Sequence, residues 1–198
     1  MNDQTLVDIS NGLSKCQNLT NLIINLRDNK ISDQGTLDLG IAIKKCHFIN
    51  TLDINLSQNK INENGLEYLG SQLALCSNLK SLKIYLRENK ISAQGGQKIA
   101  EGISQCTGLT KLDFDLSLNH LSCHSVQQIT QQITKCKNLI KLNLDFERNQ
   151  LCNQGTLELF NGLSSILNLR FLQFDIRQIN LFDPSLYLKI FKFKFCRF

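Results

Sequence analysis

The chain of 198 residues has no tryptophan, one proline and one methionine. A proline-rich linker and a collagen-like rod are therefore excluded. No uninterrupted apolar stretch approaches the ~20 residues that cross a bilayer, so no membrane span is expected. The opening MNDQTLVDIS lacks both a basic start and an apolar run. No secretory leader is visible, and a cytoplasmic location is the expectation. Catalytic signatures are missing as well: no Walker-type phosphate loop, no kinase set, no G-x-S-x-G elbow and no H-E-x-x-H. Histidine is scarce, confined to His47, His120 and His124. His47 follows Cys46, but that adjacency reads as a helix exit rather than a nucleophile–base pair. The expectation is a non-enzyme with no cofactor and no metal.

What remains is ample for a folded core, with 42% hydrophobic and 20% charged residues. The formal net charge of +5 is too diffuse to argue for nucleic acid. Of the eight cysteines, Cys16, Cys46, Cys76, Cys106 and Cys136 stand thirty positions apart. The next two steps reach Ile166 and Cys196. A column that accepts Ile is an apolar column, so these thiols read as buried and reduced. A ladder of disulfides between neighbouring coils is the alternative.

The same period runs through the rest of the sequence. Asn recurs at 29, 59, 89, 119 and 149, and Leu at 22, 52, 82, 112, 142 and 172. Apolar residues also repeat two and four positions after each Leu. Gly stands at 35, 65, 95 and 155, with Ser125 as the exception. Leu22 to Leu26 alternates apolar and polar, a half-buried strand. Ser32 to Cys46 has apolar residues at Leu39, Ile43 and Cys46, one face of a helix. Ser32, Asn62, Ser92 and Ser122 suit helix N-caps. Asp33 and Glu63 follow them, where an acid favours the positive helix end. The Asn column is expected to satisfy backbone groups in the turn leaving each strand. The Gly column is expected to supply a backbone geometry that other residues resist. One strand and one helix per thirty residues cannot bury a core alone, but stacked copies can. Helices are wider than the strand spacing, so the stack should curve with its sheet inside.

These residues resemble the leucine-rich repeat. LTNLIINLRDNKI, Leu19 to Ile31, carries L-x-x-L-x-I-x-L-x-x-N-x-I. The helical half and the repeat length, as in ISDQGTLDLGIAI, resemble the ribonuclease-inhibitor-like class. Two extra residues precede the Asn compared with the usual motif. Two is the strand period, so the inner face is kept. The resemblance implies an α/β fold: a right-handed solenoid or horseshoe, with a parallel concave sheet and convex helices. About six units would span residues 1–185. Residues 186–198, LYLKIFKFKFCRF, read as a C-terminal cap or a truncated next repeat. A Phe-Lys strand docking on a partner or a membrane surface is the third reading of that tail. The resemblance also implies a protein–protein interaction scaffold, either a monomer or part of a larger chain. Two other roles stay open. One is a regulator of a small GTPase, as in Ran GTPase-activating proteins. The other is the interaction domain of a larger kinase or ubiquitin-ligase protein.

On the concave face the outward columns hold six cations and six anions, which argues against nucleic acid. The anions are uneven. Asp115, Asp145 and Asp175 fall on adjacent strands, with Asp113 and Glu147 beside them. Like charges at neighbouring strand positions repel. This stripe, with Tyr85 and Phe171 as anchors, is the candidate site for a partner carrying a basic segment. The competing reading is that Lys111, Lys141, Arg87 and Arg177 already neutralise it. His120, Cys123 and His124 have zinc-type donors. No fourth ligand is evident, and they read as a surface loop.

Overall fold

The alternation in each thirty-residue unit resolves into one short strand and one helix. A computed structural model describes residues 2–177. The C-terminal cap expected at 186–198, and the last part of the 1–185 array, lie outside those residues. Helices α1 (Asp3–Leu13), α2 (Asp33–Lys45), α3 (Glu63–Leu73), α4 (Ala93–Ser104), α5 (Cys123–Ile133) and α6 (Asn153–Leu163) alternate with six strands. The strands are β1 (Asn21–Asn25), β2 (Thr51–Asn55), β3 (Ser81–Tyr85), β4 (Lys111–Asp115), β5 (Lys141–Asp145) and β6 (Phe171–Asp175). They form one parallel sheet in chain order. Register advances by thirty at every step, so Leu22, Leu52, Leu82, Leu112, Leu142 and Leu172 pair along one row. Each helix packs on the helix of the next coil.

The core lies between sheet and helices. Leu52 and Ile54 are buried while Thr51, Asp53 and Asn55 on the opposite face are partly open. The same alternation repeats in β3, β4 and β5. Leu39 and Ile43 of α2 meet the sheet side, and their equivalents Leu69 and Leu73 do so in α3. The assigned strands end one residue before the Leu26 row. Ladder-type bonding nevertheless continues: the Leu26 amide donates to Asn55 O at 2.8 Å and the Asp28 amide to Ser57 O at 3.0 Å. The two extra residues of the motif are thus spent in extended backbone. The chain then turns through a left-handed residue at Asp28, Gln58, Glu88, Leu118 and Arg148, each with φ between 52° and 57°. Five different residue types occupy that column, so nothing in the sequence marked it.

The Asn column does what its position implied. Asn59 Nδ2 donates to Leu26 O and Leu56 O, while its Oδ1 accepts the Ile31 amide. Asn89 and Asn119 repeat the pattern one coil and two coils on. The Gly column is a correction. Among the described residues no glycine has positive φ. These glycines are needed for close approach. A Cβ on Gly65 would lie 2.5 Å from Asp33 Oδ1, and one on Gly155 would lie 2.8 Å from Cys123 Cβ.

That close approach explains the first-turn acids. Asp3 Oδ1 accepts the amide of Ser32, the N-cap of the next helix, at 2.9 Å. Asp33 Oδ1 does the same for Asn62 at 2.9 Å. Each acid therefore fastens its helix to the following one as well as meeting a helix dipole. In α4 the equivalent residue is Ala93, and no carboxylate reaches Ser122. There the next coil carries Ser125 instead of Gly, and Ser125 Oγ accepts the Ser122 amide at 3.0 Å. In α5 the equivalent residue is Cys123. It is joined by a disulfide to Cys152, the N-cap of α6, with Cα atoms 5.6 Å apart. The column thiols Cys46, Cys76, Cys106 and Cys136 are buried and free, and Cys16 is free but exposed. Burial pushes the thiols of Cys76 and Cys136 up to about 11 and that of Cys106 to about 12, which keeps them protonated. His120, Cys123 and His124 do not form a loop cluster, because Cys123 and His124 already belong to the first turn of α5.

Candidate functional site: the open face of the sheet

One face of the sheet is covered by helices and the other is open. The seven candidate residues all lie on the open side, from β3 to β6, with Glu147 just past the end of β5. Asp115, Asp145 and Asp175 are in register on β4, β5 and β6. Parallel strands are about 4.8 Å apart, so the three carboxylates form a short acidic row.

Part of their role is local. Asp115 Oδ1 accepts the Ser117 amide at 2.9 Å, Asp145 Oδ1 accepts the Glu147 amide at 2.9 Å, and Asp175 Oδ1 accepts the Arg177 amide at 3.0 Å. Asn25 and Asn55 make the same bond two residues on. Every residue of this column except Tyr85 closes an Asx turn as the chain leaves its strand. An amide performs that task as well as a carboxylate, so the negative charge from β4 onward is surplus to the turn.

Neutralisation differs from one carboxylate to the next. Glu147 is engaged by Arg87 at 3.4 Å and by Arg148 and Arg177 at 3.7 Å. Asp175 is tied to Arg177 at 2.7 Å, and that guanidinium holds the Asp175 carboxyl below its usual range. Among the described residues Asp113, Asp115 and Asp145 form no ion pair. Burial, helped by Asp115, Asp175 and Glu147, raises the Asp145 carboxyl to about 6. Asp113 Oδ2 accepts hydrogen bonds from Tyr85 Oη at 3.4 Å and Asn143 Nδ2 at 3.3 Å. Burial, then Asp113 and Asp53, pushes the Tyr85 phenol up to about 12, so it stays a neutral donor. Beside it the buried Asn143 Oδ1 takes no hydrogen bond among the described residues.

The two aromatic candidates are partly occupied. Tyr85 is half-buried with its hydroxyl on Asp113. Phe171, 42% exposed, lies under Lys141 Nζ at 4.7 Å from the ring centre. The largest apolar exposure on this face is Ile23 on β1, 76% open, which the sequence reading did not single out. It shares a column with Asp53, Lys83 and Asp113, so an apolar residue there was itself a signal.

A register of Leu rows, an Asn ladder and one helix per thirty residues now stand together. The architecture is that of a leucine-rich-repeat solenoid. No protein-family model matches the chain, and no curated protein does. The solved structure of leiomodin-1 actin-binding site 2 is similar in fold. It has 15% identity and a TM-score of 0.56, covering 83% of this chain and 88% of that one. The ectodomain of the receptor kinase SOBIR1 from Arabidopsis thaliana, itself a leucine-rich-repeat structure, matches with 22% identity and a TM-score of 0.43. That match covers 82% of this chain and 73% of the ectodomain. Among the described residues of the solenoid, no helix is long and apolar enough to cross a membrane. No group of three or more His, Cys, Asp or Glu is placed there to hold a metal ion.

Proposed function

We propose that the chain is a non-catalytic interaction scaffold that takes a protein partner on the open, concave face of its sheet. The partner is held through a basic segment. The repeats themselves read as the ribonuclease-inhibitor-like class, a reading supported by full helices of 11 to 13 residues in each coil. The leiomodin-1 domain of the same fold is an actin-binding site, one instance of a protein partner carried on this architecture.

The observation that carries the proposal is the triangle of Asp113, Asp115 and Asp145, carboxylates that meet no cation among the described residues, beside Asn143 Oδ1, which takes no hydrogen bond there. A Lys or Arg side chain brought there meets several acceptors at once and relieves the repulsion that adds to burial in raising Asp145. Tyr85 and Ile23 extend the contact towards β1.

The test uses Asp115→Asn/Asp145→Asn. Asn preserves the Asx turns, as Asn25 and Asn55 do natively, and removes only the charge. The tagged chain should recover a partner from cell extract, and the double variant should lose it. Equal recovery by both proteins, at matched stability, would remove the acidic triangle from the function.

A further inference from the structure

A different surface carries the chain's excess of positive charge. Each coil closes its helix and passes to its strand through a short segment, the helix's last residues included in α2 and α4: residues 14–20, 44–50, 74–80, 104–110, 134–140 and 164–170. Thirty-residue stacking sets all six along one edge of the solenoid. These segments contain no Asp or Glu. They hold seven Lys or Arg: Lys15, Lys44, Lys45, Lys80, Lys135, Lys137 and Arg170. The remaining fifteen basic residues of the chain face seventeen acidic ones. The edge therefore carries seven positive charges and no negative one, residues 178–198 contribute four basic residues and one acidic, and the remaining residues are net acidic.

Lysines at helix C-termini are ordinary, since they meet the negative end of the dipole. That accounts for Lys44 and Lys45 in the last turn of α2. It does not account for Lys80 and Arg170, which stand at the starts of strands. None of the seven forms an ion pair among the described residues.

The edge is also indented and apolar. A recess of about 640 Å³ is lined by Phe48, Asn50, Asn78 and Lys80, among others. A second, of about 310 Å³, is lined by Lys80, Thr110, Ile140 and Arg170, among others. Lys80 borders both, so they adjoin. Gly108 also lines the second. The wall is fixed by side-chain amides, with Asn78 donating to His47 O and Asn138 to Thr107 O at 2.9 and 2.8 Å. Phe48 and Leu167 are 57% and 84% exposed, and Leu75 and Ile140 are exposed on the same edge.

We propose that this edge is a second docking surface, and that its occupant is an extended acidic peptide segment of a partner protein, with apolar side chains between its carboxylates. The carboxylates pair with Lys80 and Arg170, and the apolar groups seat against Phe48 and Ile140. Charge complementarity selects an anion. The apolar residues in the recesses select against a nucleic-acid duplex, whose outer surface is phosphate and sugar. This surface is separate from the acidic face and opposite to it in sign.

A random dodecapeptide library displayed on phage and selected on the full chain at physiological salt is the test. We expect enrichment of peptides that interleave Asp or Glu with Leu, Ile or Phe. Binding of the best of them, read by fluorescence anisotropy, should weaken at least tenfold with Lys80→Glu/Arg170→Glu and severalfold with Phe48→Ser. It should be unchanged with Asp115→Asn/Asp145→Asn. All these side chains are exposed or replaced conservatively, and thermal unfolding checks that each variant is folded. Failure to enrich acidic peptides overturns the proposal, as does their undiminished binding to the Lys80→Glu/Arg170→Glu protein. Tighter binding of phosphatidylserine vesicles or of a twelve-nucleotide single strand, lost in that same variant, reassigns the edge to a membrane or a nucleic acid and also overturns it.

Discussion

Asn119 binds two coils together with a single side chain. Its Nδ2 donates to Leu86 O and Leu116 O at 3.0 Å, and its Oδ1 accepts the amides of Asn89 and Ile91 at 3.2 Å. All four backbone groups are buried. Truncation would leave several of them unpaired, each at about 1–3 kcal/mol. Asn119→Ala is therefore expected to lower the unfolding free energy by at least about 3 kcal/mol, measured by urea denaturation. A loss below about 1 kcal/mol would mean that water or relaxation replaces the ladder. This role was readable beforehand, because one residue type recurred at one place in each of five coils. The left-handed turn just before it was not readable. Asp28, Gln58, Glu88, Leu118 and Arg148 share a φ and nothing else. There the tertiary ladder on either side imposes the conformation, and local preference does not choose it.

At the scale of the element, successive helices are fastened at one place by either of two devices, a carboxylate or a disulfide. At the start of α5 the helix's own Ser125 takes the N-cap amide and reaches no neighbour; a carboxylate fastens α1–α2 and α2–α3, and a disulfide fastens α5–α6. The bond spans 29 residues, for which chain-entropy arguments give about 3–4 kcal/mol. Cys123→Ser/Cys152→Ser should lose stability on that order under oxidising conditions. Cys123→Asp/Cys152→Ser should recover about 1 kcal/mol of it, because the carboxylate again meets the N-cap amide and Gly155 leaves it room. Chemical denaturation of the two variants side by side decides this. Equal stabilities would show that the carboxylate bond contributes nothing. The helices and their caps were legible from periodicity. The fasteners were not, because they join residues about thirty positions apart whose contact depends on how closely two helices pack.

For the whole molecule, charge is sorted by surface: a mixed open face with a local acidic excess, and a purely basic edge. The acidic excess has a consequence for stability. Asp145 titrates near 6 in the folded chain and near 3.9 when unfolded. An acid whose folded pKa is raised binds its proton more tightly in the native state. Its penalty is present above pH 6 and is relieved as pH falls from about 6 towards 4. Asp175, lowered by Arg177, acts in the opposite direction and loses its contribution only at lower pH. Thermal unfolding at pH 8 and pH 5 should therefore show a larger gain on acidification for the native chain than for Asp145→Asn. The same gain in both would place the titrating group elsewhere.

The sequence by itself determined the repeat, the strand-and-helix content of each coil, the buried rows and the Asn ladder. Each is set within one thirty-residue unit by hydrophobic period and backbone chemistry, and is then copied. Tertiary structure decided what depends on neighbouring copies differing from one another. It chose which carboxylates of the stripe find a cation and which stay bare. It made the glycines a matter of helix spacing rather than backbone freedom, and it brought Cys123 to Cys152. It also gathered six scattered helix exits into one basic edge. Stacking at about 5 Å per strand turns a sequence separation of thirty into direct contact, and only the stacked chain shows which side chains meet there.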